Sequence, residues 1–145
     1  MKIVVQRVKE ANVKVDGKVV GEIGKGFMVL VGVTHNDTEE NADYLAKKLC
    51  KLRVFEDENG KMNLGLKEVG GKLLLISQFT LYANTFDGNR PSFIEAARPE
   101  QANKLYEYFC DKCQEYGIEV QKGIFGAHME VSLINDGPVT IIIEK

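Results

Sequence analysis

KLLLISQFTLYA, Lys72 to Ala83, opens on the unbroken apolar run Leu73 to Ile76 and then turns polar. A short apolar run set off by a turn signal, here Gly70-Gly71, predicts a strand buried on both faces. Ser77, Gln78 and Thr80 then bring two hydroxyls and an amide to the end of a strand that had no need of them for packing. Continued as a strand, the segment puts Gln78 and Thr80 on one face and Ser77 and Phe79 on the other. Such a cluster is either a strand surfacing into water or the polar end of a ligand pocket built on a rigid element.

Around this strand the chain of 145 residues has the length of one domain with a sizeable core, so a single domain over residues 1–145 is expected. Its 44% hydrophobic and 28% charged residues exclude a disordered or membrane chain. No apolar run approaches the ~18 residues of a spanning helix. Met1 to Arg7 reads as a strand rather than a secretory leader. Three cysteines (Cys50, Cys110, Cys113) cannot all pair within the chain. Together these point to the cytoplasm and to no membrane partner. A net charge of −2 gives no general field for a polyanion, so any nucleic-acid contact is local. Lys47, Lys48, Lys51 and Arg53 read as the solvated face and exit of a helix.

Ile3 to Val8 and Ala11 to Val15 alternate branched apolar with polar residues, and Asp16-Gly17 before Val19 to Ile23 is a hairpin signal. Phe27 to Val33 predicts a second buried strand. Asp37 with Glu40 has the spacing of a capping box, and Ala42, Leu45, Ala46, Leu49 and Leu52 follow at helical spacing. Arg53 to Phe55, the turn Asp57 to Gly60 and an irregular piece holding Met62, Leu64, Leu66 and Val69 lead into the central stretch. Asn84 to Phe93 has turn formers and no period and reads as a loop. Pro99 suits the first turn of a second helix, whose buried stripe is Ala102, Leu105, Tyr106, Phe109 and Cys113. Ile118 to Gln121 predicts a strand, and Met129, Val131 and Leu133 share one face of another. Asn135 to Pro138 interrupts that strand before Val139 to Ile143 closes the chain.

A serine or threonine nucleophile needs a neighbouring base, and the chain offers only His35 and His128, neither in a motif such as Gly-x-Ser-x-Gly. Cys110 and Cys113 stand in a Cys-x-x-Cys inside a helix, too few ligands for structural zinc and misplaced for a redox pair, so they read as packing. Glu56, Asp57 and Glu58 read as a solvated turn. No metal and no cofactor is called for. Gly137-Pro138, between two strands, leaves carbonyl oxygens that no ladder need use and to which a ligand ammonium would donate. The ordinary alternative is a trans turn.

Ser77 to Leu81, taken with Asn135, Asp136, Gly137, Pro138, Val139 and Thr140, resembles the pair of signatures that marks the D-aminoacyl-tRNA deacylases. The resemblance extends over nearly the whole chain, through Gln6 to Val8, Gly60 to Asn63, Arg90 to Phe93, and Phe125 with Met129. His128 and the helix cysteines stand outside the pattern. The resemblance implies a single mixed α/β domain, a curved, mainly antiparallel, barrel-like sheet packed with two main α-helices, working as a homodimer. It implies hydrolysis of the ester that joins a D-amino acid to the aminoacylated 3′ end of tRNA, and cleavage of glycyl-tRNA is expected with it.

By the same resemblance a cis Gly137-Pro138 peptide enters the partner's pocket, holds the substrate ammonium and blocks an L side chain, with Arg7 bracing it. Ser77, Gln78, Phe79 and Thr80 line the carbonyl end as the catalytic set, and Phe125 and Met129 lie against the adenosine. Thr80 as nucleophile and assistance by the ribose 2′-hydroxyl remain alternatives. The rival functions are a general esterase or peptidase using Thr80 or Ser77, and a dimeric module that binds amino acids or tRNA ends without hydrolysis.

Overall fold

A computed structural model describes residues 1–145. The first strand, β1 (Lys2–Val15), is a single ribbon that carries both predicted apolar segments. Asp16 and Gly17, with φ of 49° and 75°, make the two-residue turn whose twist suits a hairpin into β2 (Lys18–Ile23). β3 (Gly26–Gly32) returns antiparallel to β1. Helix α1 (Glu39–Cys50) buries Ala42, Leu45, Ala46 and Leu49, as the spacing predicts. Its cap lies one residue beyond the predicted box: Thr38 and Asn41 close it, while Asp37 accepts hydrogen bonds from the Met1 ammonium and from the Thr34 amide at 2.7 Å.

A small hairpin, β4 (Phe55–Glu56) and β5 (Met62–Leu64), surrounds the predicted turn. The piece expected to be irregular contains a one-turn helix, α2 (Leu66–Val69), that buries Leu66. β6 (Lys72–Ser77) lies parallel between β3 and β7 (Val120–Lys122). The expected strand at Ile118 to Gln121 is thus displaced towards the C-terminus. α3 (Pro99–Glu115) starts on Pro99 and buries the predicted stripe. β8 (Glu130–Glu144) runs antiparallel along β1 and pairs with no other strand.

The sheet order is β2-β1-β3-β6-β7, with β8 on β1. Curvature brings β2 against β7, where a side chain at Gly21 would meet the Lys122 carbonyl at 2.6 Å. The sheet is therefore mixed: β1 makes antiparallel pairs, and the β3-β6-β7 portion is parallel. β6 explains its own apolar run. Leu73 and Leu75 face the core shared with α1 and α3, while Leu74 and Ile76 face a second core inside the curl with Val8, Val13 and Met28. Both faces are buried, which is why the strand has no polar alternation.

Asn135 to Pro138 does not end β8, contrary to expectation; the ladder continues with a shifted register. Gln6 pairs with Thr140 and Val8 with Asn135, so Asp136 to Val139 are looped out opposite Arg7 alone. A bulge of this kind aims side chains and carbonyls away from the ladder.

Candidate functional site

The three parallel strands β3, β6 and β7 all present their carboxyl ends to one side, the usual place for a crevice in a parallel sheet. A cavity of about 620 Å³ lies there, of the size that holds a nucleoside-sized ligand. Val31 and Ile76 form part of its floor, and Ala97, Pro99 and Ala102 bring in the start of α3. The Ala97 amide donates to the Val33 carbonyl at 2.9 Å, which fixes that wall to β3.

The strand does not continue past Ser77 as the alternation rule had it. Gln78 donates its amide to the Val31 carbonyl at 2.8 Å, and the chain then turns into a 3-10 turn over Phe79–Tyr82. The side-chain faces predicted for Gln78, Phe79 and Thr80 therefore do not apply. Ser77, Gln78 and Phe79 line the cavity, whereas Thr80 is exposed and outside its wall. Thr80 stays tied to the site because Gln78 Nε2 donates to its Oγ1 at 2.5 Å. The first N-H groups of a 3-10 turn have no partner inside it. Those of Phe79 and Thr80 donate to no backbone carbonyl, leaving two donors free beside the cavity.

Phe125 and Met129, from the turn after β7 and the approach to β8, stand on the cavity wall. Tyr106 packs against Phe125 with ring centroids 6.2 Å apart and donates its hydroxyl to the Leu75 carbonyl at 2.7 Å. Burial raises the Tyr106 phenol well above its ordinary value, so it stays protonated and serves as wall, not base. Phe93 meets Phe79 edge-on at 5.1 Å and closes the rim from the loop side. Tyr106 was legible only as helix core. Arg98 and His128 also line the cavity, and nothing in their sequence context had pointed to it.

Arg7, Gly137 and Pro138 are brought together, but away from this cavity. Arg7 is buried; its Nε donates to the Asp136 carbonyl at 3.0 Å and its Nη1 to the Val54 carbonyl at 2.5 Å. Asn135 Oδ1 accepts from the Val139 amide at 3.0 Å and closes the neck of the looped-out segment. The Gly137-Pro138 peptide at its tip is cis, and both residues are exposed. The path from Val131 on the cavity wall to Gly137 is roughly 20 Å of extended chain.

The family described as D-Tyr-tRNA(Tyr) deacylase matches residues 4–144. A D-aminoacyl-tRNA deacylase of Clostridium novyi is 60% identical over 145 residues, covering 100% of this chain and 97% of that one. Among solved structures, a c-Myc DNA Unwinding Element Binding Protein superposes with a TM-score of 0.93 at 40% identity, covering 100% of this chain and 99% of that one. A probable eukaryotic D-amino acid tRNA deacylase shares the fold with a TM-score of 0.85 at 17% identity, covering 99% of this chain and 98% of that one.

Proposed function

The chain belongs to the D-Tyr-tRNA(Tyr) deacylase family, and from that premise we propose how this fold performs the hydrolysis of D-aminoacyl-tRNA. The enzyme is a carboxylic ester hydrolase whose products are free D-amino acid and tRNA. An aminoacyl ester is already activated, so holding it and stabilising the oxyanion supply most of what the reaction needs. The observation that carries this reading is the polar end of the cavity: Ser77, Gln78 and two unclaimed N-H groups beside a wall that is mainly apolar, with Arg98 and His128 as its only charged or ionisable side chains apart from Tyr106.

In this reading the Phe79 and Thr80 N-H groups receive the developing oxyanion, and Phe125 and Met129 flank the adenosine. No protein base is assigned. Thr80 Oγ1 is engaged by Gln78 and lies off the cavity wall, which favours attack assisted by the substrate's own ribose 2′-hydroxyl. A Thr80→Ala variant then keeps most of its turnover, and an ester on 2′-deoxyadenosine is inert; the opposite pair of results would restore Thr80 as nucleophile.

Stereochemical selection comes from the Gly137-Pro138 segment of a second copy. Its own cavity does not include it, while Arg7 holds it outward. β8 also leaves one long edge unpaired and exposes Ile134 and Ile142, surface that a second copy would cover. Inserted into the partner's cavity, the two main-chain oxygens bind the substrate ammonium and the wedge occupies the space of an L side chain. Selection by exclusion leaves glycine, with no side chain, as a substrate. Matched D- and L-tyrosyl-tRNA, followed for ester loss, test the reading: the D-ester disappears and the L-ester persists. Equal loss of both, or loss of neither, overturns it.

A further inference from the structure

The cavity wall carries two basic side chains, Arg98 and His128, and no carboxylate. Arg98 is the residue before α3, His128 lies between β7 and β8, and both are exposed at the rim. Neither is engaged elsewhere. The ion pairs of the molecule use Lys2, Arg7, Lys72, Lys112, Lys122 and the N-terminus, not Arg98. The other histidine, His35, is by contrast tied to the Ile94 carbonyl at 2.5 Å. On a chain of net charge −2, basic groups free of partners at the mouth of an apolar cavity mark the point where an anionic part of the ligand emerges.

We infer that Arg98 and His128 grip the phosphodiester immediately preceding the esterified adenosine. The inference rests on the proposed function, since it takes the cavity to hold that nucleoside. The ester end is fixed at Ser77 and Gln78, and the base lies against Phe125 and Met129. The 5′ oxygen of the ribose then leaves through the rim, where a guanidinium offers paired N-H donors to phosphate oxygens and an imidazole a further one. The contact positions without reading sequence, so it serves every tRNA, all of which share this end.

Two substrates separate this role from a structural one: D-tyrosyl-tRNA, which has the phosphodiester, and 3′-O-D-tyrosyl adenosine, which lacks it. Arg98→Ala is expected to raise KM for the tRNA ester about 10-fold more than for the adenosine ester, with the loss in KM rather than kcat. His128→Ala moves the same ratio by about 3-fold, and Arg98→Lys restores part of it. In a salt titration of tRNA binding, Arg98→Ala lowers the slope of log affinity against log salt by about one. Equal KM changes on the two esters, or none on the tRNA ester, overturn the inference while leaving the deacylase reading intact. A wild-type protein inactive on both esters would instead remove the reading beneath it.

Discussion

Arg7 is a buried charged side chain, and its guanidinium spans two backbone carbonyls from segments distant in the chain, Val54 and Asp136. A lysine there keeps the charge but lacks the planar fork that reaches both. Arg7→Lys is expected to lose about 1–3 kcal/mol of stability in urea unfolding, because a buried carbonyl loses a charged donor. The looped-out segment loses its brace at the same time, so activity on D-tyrosyl-tRNA should fall further than the melting curve explains. The buried cysteines make a second residue-scale prediction. Burial pushes the Cys110 thiol from 9.0 up to about 12, and Cys113 is raised as well, chiefly through its hydrogen bond with Cys50 and through burial. An acid whose folded pKa is raised keeps its proton in the native state while the unfolded chain loses it. Stability is therefore complete below pH 9 and declines as pH rises towards 12, by about 1.4 kcal/mol per pH unit for each such thiol. Unfolding midpoints that stay level from pH 8 to pH 10.5 would contradict this.

At the scale of elements, the junction of β6 with the 3-10 turn forms the polar end of the site. Gly32 at the end of β3 has no room for a side chain: a Cβ would lie 3.0 Å from that of Leu81 and 3.3 Å from the Gln78 carbonyl. Gly32→Ala should shift the turn by a few tenths of an ångström, cost about 1–3 kcal/mol as overpacking does, and lower kcat more than it raises KM. Retained kcat would mean that the turn's donors are not used in the transition state. This junction also marks where sequence reasoning stopped. Leu73 to Ile76 announced a strand buried on both faces, because burial leaves its signature in composition. The change from strand to turn at Gln78 left none, since the deciding bond is to Val31, far away in sequence. The same holds for the cap of α1: Asp37 satisfied the local spacing, but the Met1 ammonium claims it and the cap passes to Thr38. Ser77, Gln78, Phe79, Phe125 and Met129 were legible through the family's motifs. Arg98, His128 and Tyr106 were not, because a loop residue or one face of a helix becomes a cavity wall only once β7, β8 and α3 have been brought together.

For the whole molecule, the decisive matter is that the bulge held by Arg7 and the cavity beside Ser77 are separate features of one chain. If each site is built from the cavity of one copy and the bulge of another, defects in the two features must complement. Ala127→Trp fills the cavity from a surface turn without touching the bulge, and Arg7→Ala frees the bulge without touching the cavity. Each variant alone should be nearly inactive. Unfolded together and refolded as a mixture, half of a statistical population of two-fold dimers is mixed, and each mixed dimer carries one intact cavity facing one intact bulge. Activity on D-tyrosyl-tRNA should recover to about a quarter of wild type, the share of sites in which both parts are sound. The recovered activity should elute at twice the chain mass and disappear on dilution below the dissociation constant. A mixture no more active than the sum of its parts, with both variants folded and dimeric, would mean that each cavity depends on the bulge of its own chain, and the account of stereochemical selection by a partner's wedge would fail with it.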